Sequence, residues 1–101
     1  VTTAQRSPSA PELPTVVESG MPGYDVSSWQ GIVVPKGTPA PVVTRLSQAL
    51  RKVLAQPELQ QQLARHGATA TSSSPEEFSA FIAAEIRRWK RVAQQAGVQP
   101  E

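Results

Sequence analysis

One run of strand-forming residues, Trp29-Gln30-Gly31-Ile32-Val33-Val34, stands among three helical patterns, and a strand cannot exist alone. Its backbone N–H and C=O groups need a neighbouring strand, and an apolar run without alternation needs cover on both faces. Pro35 ends the run, and Gly37-Thr38-Pro39 turns the chain into a helical pattern. This is heavier punctuation than a hairpin to an adjacent strand requires. The other strand candidates are weak: a short run at Leu13–Val17 and the Ala68-Thr69-Ala70-Thr71 stretch. Residues 1–27 read as an extended segment rich in Pro, Gly and Ser, broken again by the Ser19–Asp25 string SGMPGYD. Residues 28–101 read as the strand followed by three helices.

The first helix starts after Thr38, a candidate cap, with prolines at 39 and 41 in the opening positions where a missing N–H costs nothing. Val42, Val43, Leu46, Leu50, Val53 and Leu54 share one face at helical spacing. Pro57 restarts a shorter helix carrying Leu59 and Leu63, with Gly67 as its stop. The third helix has the strongest start signal. Ser74 and Glu77 have capping-box spacing, Pro75 stands at the first position, and the pattern runs to Ala96 and Gly97. Phe78, Phe81, Ile82, Ile86, Trp89, Val92 and Ala96 form its stripe, and Arg87, Arg88, Lys90 and Arg91 crowd its last turns, where cations suit the dipole.

The chemistry such a chain offers is narrow. It has 101 residues, room for one small core, and no cysteine, which removes disulfides, thiol nucleophiles and thiolate metal ligands. His66 is the only histidine and sits beside a helix stop with no carboxylate or nucleophile near it in sequence, so no metal site and no general base are expected. There is no phosphate-binding glycine loop and no nucleophile elbow around Ser27 or Ser28, and neither catalysis nor a cofactor is expected. The formal net charge of +2 is too small for a polyanion binder. The Arg-Arg-Trp-Lys-Arg cluster at 87–91 puts Trp89 on the apolar stripe and spreads its cations over the remaining surface, a solvated face rather than a nucleic-acid contact. Glu85 falls inside the apolar stripe and so requires a partner, either Arg88 or a group outside the helix. Phe78, Phe81, Ile82, Glu85 and Trp89 are the candidate interface residues.

Six stretches in order, RSP…PELPTVVESG, PGYDV, SWQGIVVPKGTP, LAQPELQQQL, SPEEF and RWKRV…AGV, carry a resemblance that covers almost the whole chain. It resembles the C-terminal third of the Bug family, the solute-binding receptors of tripartite tricarboxylate transporters. The resemblance implies an α/β architecture: a C-terminal fragment of the type II periplasmic-binding-protein fold, mostly helical here with a few short strands. Two lobes would close on a small carboxylate, to be delivered to a membrane permease. Trp29–Val34 would be a strand at the crossover between lobes, with Ser28 and Trp29 near the cleft and Trp29 serving first as a packing anchor. The family's secretion signal, its carboxylate-clamping turns and most of both sheets precede anything in this sequence. The parent is thus expected to be periplasmic, while this chain shows no signal peptide and should associate with copies of itself or with the missing lobes. The rival expectation is a stand-alone helical interaction module using the Phe78–Ala96 stripe.

Overall fold

The computed structural model describes residues 1–99 and contains three helices: α1 (Ala40–Leu54), α2 (Pro57–Arg65) and α3 (Pro75–Gln95). The chain divides into two compact units. One comprises Val1–Gly37 and Pro57–Ala70, including α2; the other comprises Thr38–Gln56, which holds α1, and the chain from Thr71 on, which holds α3.

In the first unit the Pro-rich segment is held by turns and by one polar node. Thr15 and Glu18 form a reciprocal cap: the Glu18 N–H donates to Thr15 Oγ1 at 3.0 Å and the Thr15 N–H to Glu18 Oε2 at 2.7 Å. The single helical turn so started ends at Gly20, where Gly20 N–H reaches Val17 O at 3.1 Å and Met21 N–H reaches Val16 O at 3.2 Å. This is a glycine-terminated exit with Gly20 at φ 105°. Leu13–Val17 is therefore a turn and not a strand, because a local cap satisfies its backbone groups without a partner chain. Val26 N–H bonds Thr2 O at 2.8 Å and Ala4 N–H bonds Asp25 Oδ1 at 3.2 Å, tying the two ends of the segment together. In α2, Leu59 and Leu63 are half-buried, and Gly67 ends the helix as its sequence position implied: Ala68 N–H bonds Leu63 O at 2.9 Å and Gly67 N–H bonds Ala64 O at 3.0 Å.

In the second unit, α1 is capped by Pro39, not by Thr38, and no side chain caps it. Pro39 already holds φ −57°, its carbonyl accepts from Val42 and Val43, and Pro41 has no N–H to satisfy, which leaves little for a hydroxyl to do. Helix α3 begins with the expected box: Glu77 N–H to Ser74 Oγ at 3.1 Å and Ser74 N–H to Glu77 Oε2 at 2.8 Å. It ends at Gly97, with Val98 N–H on Ala93 O at 2.9 Å. The cations of α3 stop at Arg91, and its last turn holds none.

No strand forms among the described residues. Trp29–Val34 joins no ladder, and Gln30, Gly31, Ile32, Val33 and Val34 make no hydrogen bond to any described residue. Strand propensity has nothing here to pair with. The same want of cover recurs elsewhere: among the described residues no apolar side chain is buried, and Thr15, 3% exposed, is the single buried polar one. The accessible surface is 8496 Å².

Candidate functional site

The residues expected near a ligand lie in the first unit. Val26 is pinned by its bond to Thr2, and the chain leaves that anchor through Ser27, Ser28 and Trp29. The hydroxyls of Ser27 and Ser28 have no partner among the described residues, and Trp29 is 43% exposed. Ser28 thus offers a donor and acceptor, and Trp29 an aromatic surface. Two depressions of about 250 and about 230 Å³ lie elsewhere. The first runs between Ser47, Gln48 and Arg51 of α1 and the Ser74–Glu76 start of α3; the second lies among Pro8, Gln60, Ala64 and Thr69.

The most extensively hydrogen-bonded side-chain pair in the first unit, Arg6 and Glu18, is one that the sequence pattern does not announce. Arg6 Nε donates to both Glu18 oxygens, at 3.1 and 3.0 Å, and Arg6 Nη1 donates to Pro11 O at 3.0 Å. The Arg6 hydrogen bond first, and then the Thr15 N–H, hold the Glu18 carboxyl down at about 2, while Glu18 raises the Arg6 guanidinium above its ordinary value. The carboxylate is committed to the turn it caps. The Thr-x-x-Glu spacing is the signal that could reveal it, and the β-branched pair Val16-Val17 masks it.

The candidate interface residues sit together on α3, in the second unit. Phe78 and Ile82 are half-buried, whereas Phe81 and Trp89 are 42% and 41% exposed. The Phe78 and Phe81 rings lie 6.3 Å apart and nearly parallel. Glu85 finds its partners on its own helix: Trp89 Nε1 donates to Oε2 at 2.9 Å, and Arg88 Nη1 lies 3.5 Å from Oε1. The Arg88 guanidinium is also 5.5 Å from the Trp89 ring centre, within cation–π range. Arg88 is thereby drawn away from the other cations. Arg87, Lys90 and Arg91 remain exposed at i, i+3 and i+4, so they share one side of the helix and are not spread around it.

His66 is exposed just past α2, and no group of three or more His, Asp or Glu side chains suited to a metal ion occurs among the described residues. No helix among them is long and apolar enough to cross a membrane.

A family profile described as "Tripartite tricarboxylate transporter family receptor" matches residues 1–98. Relatives include the UPF0065 protein in the tcbD-tcbE intergenic region of Pseudomonas sp. strain P51, 37% identical over 93 residues, covering 91% of this chain and 28% of that protein. Protein BugT of Bordetella pertussis is 31% identical over 97 residues, covering 96% of this chain and 30% of that protein. Among solved structures, R. palustris Rpa4515 with adipate superposes with a TM-score of 0.86 at 38% identity, over 99% of this chain and 33% of that one. The periplasmic binding protein BugD superposes with a TM-score of 0.85 at 36% identity, over 99% of this chain and 34% of that one. The chain therefore spans about a third of the length of each of these four proteins.

Proposed function

The chain belongs to the tripartite tricarboxylate transporter receptor family, and from that membership we propose that it is the C-terminal third of a periplasmic receptor that binds a small carboxylate and presents it to a membrane permease. Binding in such a receptor is noncovalent: two lobes exclude water around a carboxylate held by N–H groups and hydroxyls. This piece supplies scaffold, and Ser28 and Trp29 supply part of a cleft wall. The observation that carries the reading is the match along residues 1–98 to receptors three times as long, one of them solved with adipate.

The uncovered run Gln30–Val34 supports the same reading. In the whole receptor it is a strand between neighbours; without them its free backbone groups and exposed side chains seek another chain, and the isolated piece self-associates.

Isothermal titration with adipate tests the substrate half of the proposal. The isolated chain gives no heat of binding, and the receptor that carries it binds. Micromolar binding by the isolated monomer would place a complete site inside these residues and refute the assignment of scaffold.

A further inference from the structure

The hydrogen bonds of the first unit converge on the stretch that leads into Ser28. Two adjacent residues, Asp25 and Val26, grip the start of the chain at two points. The Ala4 N–H donates to Asp25 Oδ1 at 3.2 Å, and the Val26 N–H donates to Thr2 O at 2.8 Å. One grip uses a side chain and the other the backbone. A single hydrogen bond fixes a position and leaves a pivot about itself, whereas two bonds from consecutive residues fix a direction as well.

The segment they grip is itself held at both ends. Val1 O accepts from the Val16 N–H at 2.9 Å, and Arg6 Nε donates to both Glu18 oxygens while its Nη1 donates to Pro11 O. Val16 and Glu18 belong to the capped turn that begins at the buried Thr15. Residues 1–6 are therefore fixed to that turn, and Asp25–Val26 is clasped onto residues 2–4. All of these groups lie in one unit. Ser28 follows Asp25 by three residues, at most about 10 Å of chain. A tilt at the clasp is carried directly to its hydroxyl.

From this arrangement we infer that Asp25 is a positioning residue for the ligand: its clasp on Ala4 sets the direction in which Ser28 enters the cleft. The inference rests on the proposed receptor function, in which the Ser28 hydroxyl meets a small carboxylate. A hydroxyl aimed at a carboxylate oxygen tolerates a displacement of about 0.5 Å before the hydrogen bond loses its geometry. Aiming it before the ligand arrives removes part of the ordering cost of binding. Asp25 acts on affinity through Ser28 and not by touching the ligand. Its side chain needs to supply an acceptor at Oδ1, and its charge is secondary.

The test is isothermal titration of the whole receptor carrying this chain with straight-chain dicarboxylates from succinate to suberate, adipate among them. The proteins are wild type, Asp25→Ala, Asp25→Asn, Ser28→Ala and the double variant Asp25→Ala/Ser28→Ala, with thermal melts checking the fold. Asp25→Ala is expected to weaken binding about fivefold, the worth of one lost hydrogen bond. Asp25→Asn, which keeps an Oδ1 acceptor, recovers most of the affinity. In the Ser28→Ala background Asp25→Ala costs less than about twofold, because the group it aims is gone. A merely structural role gives the same loss in both backgrounds, and that additive result overturns the inference. An asparagine variant as weak as the alanine one also overturns it, by assigning the effect to charge. So does an Asp25→Ala receptor that binds like wild type while Ser28→Ala is impaired, an outcome that leaves the cleft-wall role of Ser28 standing. Should Asp25→Ala not fold, Asp25→Glu, longer by one methylene, takes its place in the cycle and must show the same coupling to Ser28. A Ser28→Ala receptor that binds like wild type removes Ser28 from the cleft wall and overturns the inference with it. A wild type that binds none of the dicarboxylates overturns the carboxylate reading as well.

Discussion

Trp89 donates its indole N–H to Glu85 one turn earlier, at 2.9 Å, and thereby makes an acid acceptable in the middle of an apolar stripe. With Arg88 on the other oxygen, both carboxylate oxygens are engaged although the Glu85 side chain is only 16% exposed. Glu85→Ala frees Trp89 Nε1 and Arg88 together and should lower the stability of α3 by about 1 kcal/mol. Glu85→Gln, which keeps an acceptor, should recover part of the loss. Urea titration followed by circular dichroism checks this, and an unchanged midpoint with altered association would instead make Glu85 a contact to another chain.

Ser74→Ala removes the hydroxyl that accepts from Glu77 N–H and half of the reciprocal cap of α3. The loss should be about 1 kcal/mol, and Ser74→Asp should restore most of it. Helical ellipticity against temperature for the three proteins gives the order wild type, Asp, Ala.

Glu18 predicts a pH dependence. Its carboxyl is lowered from 4.5 to about 2 in the folded chain, so the folded state holds its proton less tightly than the unfolded state does. The stability this contributes is fully present above about pH 4.5 and drains away as pH falls through the folded value. The group is solvent-exposed, so salt should narrow the effect. Carbon-detected titration of Glu18 should show the low midpoint in wild type and a rise toward 4.5 in Arg6→Ala, because the Arg6 hydrogen bond is the largest cause. A midpoint unmoved by Arg6→Ala would leave the Thr15 N–H as the controlling partner.

Ile32 and Val33 are 64% and 75% exposed on a segment with no backbone partner. Light scattering after size exclusion should therefore find assemblies of the isolated chain that grow with concentration. Val33→Lys should raise the concentration needed roughly tenfold, since a charge in the pairing segment is a recognised block to edge association. A concentration-independent monomer in the wild type would contradict self-association.

The helices are legible in the sequence because their signals are local. Ser74 and Glu77 cap within three residues, and Gly67 and Gly97 each end a helix with φ near 70°, values that a side chain would resist. At Trp29–Val34 the sequence shows a strand propensity only, and no strand forms there because pairing depends on residues distant in sequence and none of those described pairs with it. The turn at Thr15–Gly20 misleads for the converse reason: Val16 and Val17 look like strand residues, but the cap at Thr15–Glu18 and the exit at Gly20 determine the backbone. The cleft-wall role proposed for Ser28 and Trp29, and the interface role expected of the α3 face, belong to tertiary and quaternary structure. Helical spacing places Phe81 and Trp89 on one side without naming what meets them.

The interleaving of the two units sets an order of assembly. The chain passes from one to the other after Gly37, returns at Pro57 and leaves again after Ala70, so neither is a continuous stretch of sequence. During synthesis the first unit cannot be completed until α2 has followed α1 out of the ribosome, and the second must wait for α3. A single protease cut within α1 would sever the peptide link between the two halves of the first unit as well as damaging the second, so limited digestion should yield no autonomous subdomain.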